Sequence, residues 1–296
     1  MEKTILITGA NGRIGTALIQ EILQRTSYRI IAAVASEAKY KDLLERLNCS
    51  DVMRIQYIQR ESLFKSDLND VYAVVHLAFA RRNRRAEEIA GSIDYSMKLF
   101  QKAVSARVQR IINISTQGIY GETPDIRVEA AEAAPLTAYT MAKYATEKFF
   151  DFCFDGTEIE HTNLRLDLIV QSQNLVPALC RQAKQGLISL KGGEQRFSFL
   201  DVKDAALGIL AMIDSPCGWE KIYNVGWNKR RYKLTEIAEL VADAAQMHGY
   251  SRPEILLEKQ DIALWSGMNS ERFSSHTGWK PKIDMQQMIL KIFEEV

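Results

Sequence analysis

The chain is short of cysteine, histidine and proline, has no long apolar run, and carries almost no net charge. Each shortage excludes something. Cys49, Cys153, Cys180 and Cys217 stand far apart, without paired metal-ligand spacing, so neither a disulfide framework nor a zinc site is expected. Reduced thiols in a cytoplasmic protein are the natural reading. His76, His161, His248 and His276 form no cluster, and no metal is expected. No stretch approaches the roughly 20 apolar residues of a membrane span. One lysine ahead of an apolar run that reads as a strand is not a signal peptide. A formal charge of +1 argues against a nucleic-acid role built on bulk electrostatics. The six prolines mark no linker, and no low-complexity tract or repeat interrupts the chain.

What is present is a globular composition. With 296 residues, 47% of them hydrophobic and 25% charged, the chain can bury a large core as one domain with an elaboration. Thr4 to Thr8 is a short β-branched apolar run, as expected of a buried parallel strand. Gly9-Ala10-Asn11-Gly12-Arg13-Ile14-Gly15 follows at once, and Ile14, Ala17, Leu18, Ile22 and Leu23 then recur at helical spacing. Strand, glycine turn and helix in that order is the context of a dinucleotide fingerprint. Gly9 permits the tight turn, Gly12 lets backbone approach a pyrophosphate, and Gly15 lets helix and strand pack closely. The free N–H groups at the helix start then face the phosphates, with Asn11, Arg13 and Ile14 completing the cradle.

A second motif supplies proton chemistry. Leu136 to Phe154 reads as a helix with Pro135 just ahead of it. Tyr139 and Lys143 are four apart and project from one face. A free tyrosine titrates near 10, and bringing it to neutrality takes about 4 kcal/mol. One ammonium about 4 Å away, at an effective dielectric near 20, supplies about that much.

Between the two motifs, Asp70 to Ala78 and Arg110 to Thr116 read as further buried strands, the second running into Gln117-Gly118-Ile119-Tyr120-Gly121. The chain shows, in order, Thr-Gly-x-x-Gly-x-x-Gly, Asp-x-Tyr-x-Val-Val-His-Leu-Ala, Ser-Thr-x-x-Ile-Tyr-Gly and Tyr-x-x-x-Lys. In this it resembles the extended short-chain dehydrogenases/reductases, the family of NAD(P)-dependent sugar-nucleotide epimerases and dehydratases. The resemblance implies a Rossmann-type α/β fold: a doubly wound parallel sheet with a smaller C-terminal substrate-capping domain. Residues 1–166 would form the NAD(P)-binding part, with 196–214 returning to it. Residues 167–195 and 215–296 would form the substrate-binding part. It further implies Tyr139 as acid/base, Lys143 as the group that tunes it and holds the cofactor ribose, and Thr116 as the hydroxyl orienting the reacting oxygen. Leu77 and Ala78 join the cofactor set. Gln117, Asn174, Leu175 and Arg196 would meet the substrate, with Arg196 on a sugar-nucleotide pyrophosphate and Arg165 in its usual place after the sixth strand. Tyr223-Asn224-Val225-Gly226 and Gly278-Trp279-Lys280-Pro281 resemble the closing signatures.

Departures refine the expectation. Gln117-Gly118 stand where dehydratases carry Asp-Glu, which argues against elimination chemistry. Ile30 to Ser36 contains no acid, which leaves room for the 2′-phosphate of NADP beside Ser36, Lys39 and Lys41 and leans the reading from NAD to NADP. Gln59-Arg60-Glu61 does not reproduce the usual adenine-binding acid. No second pyrophosphate arginine is evident around Lys259-Gln260-Asp261, and Asp167 stands where an asparagine is frequent. The leading expectation is an NAD(P)-dependent oxidoreductase or epimerase acting on a sugar hydroxyl or ketone, most naturally of a nucleoside-diphosphate sugar. An NADP-dependent reductase or dehydrogenase of a non-nucleotide carbonyl or aldose is the alternative, and a non-catalytic dinucleotide sensor the third reading.

Three peripheral readings complete the set. Glu87–Ala106, Val176–Gln185 and Lys233–Met247 read as helices. Phe149, Phe150, Phe152 and Phe154 cannot all face one core stripe, which motivates a homodimer through that helix. Arg81-Arg82-Asn83-Arg84-Arg85 lies after the strand bearing His76, at the ligand edge of the sheet, and reads as a solvated loop before it reads as an anion site.

Overall fold

A computed structural model describes residues 3–47, 51–81 and 83–296. Cys49 and Arg82 lie outside the described residues. The first half of the chain runs β1 (Thr4–Thr8), α1 (Arg13–Arg25), β2 (Arg29–Val34), α2 (Glu37–Arg46), β3 (Ile55–Gln59), β4 (Val71–His76), α3 (Ala86–Ser105), β5 (Arg110–Thr116), α4 (Ala138–Phe154) and β6 (Glu160–Leu166). The second half continues with β7 (Leu168–Ile169), α5 (Leu175–Lys184), β8 (Leu187–Lys191), β9 (Arg196–Phe197), β10 (Phe199–Leu200), α6 (Val202–Asp214), β11 (Ile222–Val225), β12 (Tyr232–Lys233), α7 (Leu234–Met247), β13 (Glu254–Glu258), α8 (Glu271–Thr277) and α9 (Met285–Glu295).

Seven strands pair in the order β11-β6-β5-β4-β1-β2-β3, all parallel. The strands are apolar on both faces because both faces are covered, as a parallel sheet requires. On one face Leu18 and Ile22 of α1 pack with Leu43 of α2 and with Ala205, Ile209 and Ile213 of α6. On the other, Leu99 and Phe100 of α3 pack with Phe150 and Phe154 of α4. The chain leaves β1 toward β2 and β3, then returns to place β4 on the opposite side of β1. That reversal opens a crevice at the carboxyl ends of β1 and β4, where Thr8 and His76 are register partners and where ligands bind in such sheets.

A third core lies away from the sheet. Val176 and Leu179 of α5, Ile188 of β8, Ile237 and Val241 of α7, and Ile289 and Phe293 of α9 gather there. Ile222–Val225, expected with the substrate-binding part, is instead the edge strand of the main sheet. Its Tyr223 and Val225 are fully buried in the same core as α1 and α6. The four-residue run is too short to show a periodicity of its own, so nothing local assigns it to the sheet.

α4 begins two residues later than its hydrophobic pattern suggests. Thr137 stays extended and its hydroxyl oxygen accepts the Thr140 N–H at 3.2 Å, which fixes the N-cap there and leaves Leu136 outside. The four phenylalanines divide as their spacing requires: Phe150 and Phe154 are buried, whereas Phe149 and Phe152 are exposed.

α4 is tied to β6 by a buried ion pair. Arg165 donates from Nε to Glu147 Oε1 at 3.0 Å and from Nη2 to Oε2 at 2.6 Å, and both side chains are out of solvent. The guanidinium lies over the Tyr120 ring, 4.7 Å from its centroid. Tyr120 donates to Asn224 Oδ1 at 2.7 Å, and Asn224 Nδ2 donates in turn to the carbonyls of Arg127 and Asn269. Removing one partner of such a pair strands a desolvated charge. Glu147→Ala should therefore lower stability by about 3–5 kcal/mol, read as a shift in the urea midpoint. The Glu147→Leu/Arg165→Met double variant should recover much of that loss. A single variant within about 1 kcal/mol of the parent would contradict a buried, mutually dependent pair.

Candidate active site

The crevice is built from strand ends. Gly9 closes β1 with φ +68°, and a Cβ on it would lie 2.8 Å from the Ala78 nitrogen, so the turn rests directly on the chain leaving β4. A Cβ on Gly15 would stand 2.6 Å from the Gly9 carbonyl oxygen, so the first turn of α1 sits on that same turn. Gly12 is the N-cap, its N–H donating to Gly9 O at 2.9 Å. The space that side chains would fill is thus left to backbone, beside the unpaired N–H groups of a helix start. A dinucleotide pyrophosphate fits this cradle. Ile14 packs against the core below, Arg13 is exposed, and the Asn11 carbonyl accepts from Arg46 Nη2 at 2.9 Å, which ties the end of α2 to the loop.

Ser36, expected beside a 2′-phosphate of NADP, caps α2, its hydroxyl oxygen accepting the Lys39 N–H at 3.4 Å. Lys41 pairs with Glu37 at 3.1 Å on the exposed face of the same helix.

A hydrogen-bond relay fixes the chain after β4. Ser96 donates to the Ser92 carbonyl at 2.7 Å, so its oxygen is left to accept from His76 Nε2 at 2.8 Å. His76 Nδ1 is then bare and accepts the Thr8 hydroxyl at 2.8 Å, while the Thr8 oxygen takes the Ala78 N–H at 3.3 Å. Ser92 repeats the arrangement, donating to Glu88 O and accepting the Ala80 N–H, both at 2.9 Å. His76 is buried, and desolvation drives its pKa down to about 3. It is a neutral strut, and it holds residues 77–80 between β1 and α3.

Phe79 is what that strut delivers. Its ring meets Tyr139 edge-on, centroids 6.0 Å apart, and Lys143 Nζ lies 4.1 Å from its centroid. Tyr139 stands on the first turn of α4, half-buried, with Lys143 one turn on and only 4% exposed. Lys143 Nζ donates to the Ile114 carbonyl at 2.7 Å. Burial pushes its pKa down to about 7, against the opposing pull of Glu147 one turn further along. Thr116 ends β5, and its hydroxyl oxygen accepts the Gly118 N–H at 3.2 Å. Gly118 abuts α4: a Cβ there would lie 2.9 Å from the Thr140 methyl. Gln117 is buried beside it, with Oε1 unpartnered.

Thr116, Gln117, Tyr139 and Lys143 are therefore assembled where β5 meets α4, with the glycine cradle and residues 77–80 across the crevice. Asn174, Leu175 and Arg196 are placed differently. Asn174 precedes α5 and accepts from Arg181 Nη2 at 3.1 Å, Leu175 packs on the third core, and Arg196 is exposed on β9. No hydrogen bond or ion pair joins these three to Thr116, Gln117 or Lys143 among the described residues. Of the basic run, Arg81, Arg84 and Arg85 are exposed, with Arg84 Nη1 3.9 Å from Glu88, as a solvated loop would be. Gln59-Arg60-Glu61 is occupied by its own ion pair, Arg60 to Glu61 at 2.7 Å. No group of three or more His, Cys, Asp or Glu among the described residues could hold a metal ion. No helix there is long and apolar enough to cross a membrane.

Phe79 and Arg46 were not legible as site residues. Phe79 follows a strand end without any spacing signal, and Arg46 reaches the cradle only through the packing of α2.

The sequence profile described as "NAD dependent epimerase/dehydratase family" matches residues 5–226. The NAD-dependent glucose-6-phosphate dehydrogenase of Haloferax volcanii is 22% identical over 258 residues, covering 81% of this chain and 92% of that protein. Among solved structures, UDP-glucuronic acid 4-epimerase from Bacillus cereus in complex with NAD superposes with a TM-score of 0.81 at 18% identity, covering 99% of both chains. UDP-glucose 4-epimerase with UDP-glucose from Thermotoga maritima gives 0.80 at 19% identity, covering 98% of this chain and 97% of its own. These likenesses carry the fold.

The packing of Phe79 on Lys143 gives a direct test. Phe79→Ala admits water to Nζ and relieves the desolvation that depresses it, so the midpoint should rise from about 7 toward the ordinary 10.5. NMR titration of the lysine Cε resonances, with Lys143 assigned by Lys143→Arg, should show that rise. An unmoved midpoint would mean that Phe79 does not control the lysine.

Proposed function

This chain belongs to the NAD dependent epimerase/dehydratase family and is an enzyme, and from that premise we propose that it moves a hydride at a sugar carbon of a nucleoside-diphosphate sugar, with Tyr139 as acid/base. The observation that carries the reading is the convergence of Tyr139 and Lys143 on Phe79, with Thr116 at the neighbouring strand end, across the crevice from the glycine cradle.

The cradle residues Gly9, Asn11, Gly12, Arg13, Ile14 and Gly15, with Leu77 and Ala78, would hold the dinucleotide, which supplies hydride acceptance and donation when bound. The protein's part is proton transfer and orientation. Tyr139 would exchange a proton with the sugar oxygen whose carbon loses or gains hydride. Thr116 uses its oxygen to accept the Gly118 N–H, which leaves its O–H to donate to that same sugar oxygen. Lys143, positive on protonation, would stabilise the tyrosinate. Gln117-Gly118 provide no acid for elimination, which supports epimerase or redox chemistry over dehydration.

The cofactor we propose is NAD. The lean to NADP rested on the absence of an acid from Ile30 to Ser36, with Ser36, Lys39 and Lys41 in reach of a 2′-phosphate. Ser36 caps α2 with the Lys39 N–H, Lys41 pairs with Glu37, and solved structures of this fold are complexes with NAD. The lean therefore has no support.

A second reading, a dehydrogenase acting on a non-nucleotide sugar, is favoured by the absence of an arginine around Lys259-Gln260-Asp261 and by the Haloferax relative. We also propose a homodimer through α4. Met141, Phe149 and Phe152, 54%, 42% and 82% exposed, recur along one stripe of the helix.

Native mass spectrometry of the purified protein should show retained NAD. Tyr139→Phe should keep that dinucleotide and lose about 10²-fold or more in turnover of UDP-glucose. Near-normal turnover would overturn the acid/base role, and turnover of glucose 6-phosphate but not UDP-glucose would establish the second reading. Light scattering should give twice the chain mass, falling to one chain in Phe152→Asp. A monomeric parent would sink the dimer.

A further inference from the structure

The basic run after β4 is not used by the chemistry above, and its place in the fold is specific. Gly9 and Ala78 touch, since a Cβ on the former would lie 2.8 Å from the nitrogen of the latter. Arg13 and Arg81 stand four and three residues on from that contact. The chain leading into the run is pinned. The Ala80 N–H donates to Ser92 Oγ at 2.9 Å, the Arg84 N–H to the Arg81 carbonyl at 3.0 Å, and the Arg85 N–H to Glu88 Oε2 at 3.2 Å. Arg46 arrives from α2, its Nη2 on the Asn11 carbonyl at 2.9 Å. Three separate stretches of chain thus bring exposed guanidinium groups to the glycine cradle: Arg13 from α1, Arg46 from α2, and Arg81, Arg84 and Arg85 from the loop after β4.

The acids beside them do not cancel this charge. Arg46 is paired with Asp42 at 2.9 Å, but Arg84 approaches Glu88 only to 3.9 Å. Arg13, Arg81 and Arg85 make no ion pair among the described residues, and Glu87 is exposed on the first turn of α3. Across the crevice the sign reverses. The loop between β5 and α4 carries Glu122, Asp125, Glu129 and Glu132 against Arg127 alone. The whole chain has a formal charge of only +1, so the positive cradle side reflects placement and not general basicity.

We propose that Arg81, Arg84 and Arg85 steer the anionic dinucleotide onto the cradle, acting on its capture and not on its release. The inference rests on the cofactor reading above. Solvated charges gain little from direct pairing. Their field nevertheless reaches about a Debye length, about 10 Å at about 0.1 M salt. Such a field speeds encounter, while escape of a seated ligand depends on the groups that touch it. The negative loop across the crevice turns the phosphates toward the glycine side before contact. The nicotinamide ring loses its positive charge on reduction, so the reduced dinucleotide is the more anionic and the more strongly steered.

Stopped-flow mixing of the full-length protein, stripped of nucleotide on charcoal, with NADH or NAD tests this through quenching of tryptophan fluorescence. Association with the parent should slow between about 0.02 M and about 0.5 M salt, more steeply for NADH than for NAD. The Arg81→Gln/Arg84→Gln/Arg85→Gln variant should bind NADH about three- to tenfold more slowly at the lower salt and match the parent at the higher. Its release rate should stay within about twofold of the parent's. Glu87→Gln, which removes an opposing charge, should speed association. Thermal melts check that both variants fold. A triple variant with the parent's association rate and salt dependence would overturn the inference and leave the cofactor reading standing. So would one that releases NADH faster at an unchanged association rate, since the arginines would then be direct contacts. A parent that binds neither dinucleotide would overturn both.

Discussion

The buried contact between Glu147 and Arg165 is the constraint on which the rest of the site depends. Two desolvated charges are tolerable only in good geometry, and here the geometry is bidentate across two elements, α4 and β6. Glu147 lies one turn beyond Lys143 and two beyond Tyr139, so α4 cannot rotate or slide without breaking it. Register on that helix keeps Lys143 at the Ile114 carbonyl and Tyr139 against Phe79. On its other side Arg165 covers Tyr120, which reaches Asn224 and through it the backbone of Arg127. One ion pair therefore positions the helix that carries Tyr139 and Lys143 and also anchors the segment that carries Arg127.

Desolvation governs the titration of three groups around the crevice, and in each it disfavours the charged form. His76 is held neutral, with its proton fixed on Nε2 by the demand of Ser96. Lys143 and Asp167 are brought to about 7 from opposite sides, one depressed and one raised. The signs matter for function. A group offering negative charge near Lys143 would restore its ammonium, whereas positive charge near Asp167 would favour its carboxylate.

The legible part of this protein was the local part. The glycine turn between β1 and α1, the strand ending at Thr116 and the Tyr139–Lys143 spacing all lie within single elements or adjacent ones. Their periodicity and order are visible without a fold. Phe79, Arg46, Arg127 and Arg231 were not legible, because each acts on partners far along the chain: Arg46 on Asn11, Arg127 on Trp265, Arg231 on Pro124. The same holds for Ile222–Val225, which joins the sheet only because β6 offers an edge. The lean to NADP finds no support. It rested on the missing acid from Ile30 to Ser36, and the two groups in reach of a phosphate, Ser36 and Lys41, are engaged by a helix cap and an i,i+4 pair within α2.

Asp167 shows how one such substitution can alter a site without moving its scaffold. An asparagine there would present a permanent donor to whatever lies between Arg127 and Arg231. A carboxylic acid of the same shape presents a donor only when protonated and an opposing charge otherwise. Gly226 leaves room for either side chain, so the backbone does not dictate the choice. What dictates the behaviour of the acid is its surroundings: burial, the Ser198 hydroxyl, a hydrogen bond from the Leu168 N–H, and two guanidinium groups near enough to attract but not to pair.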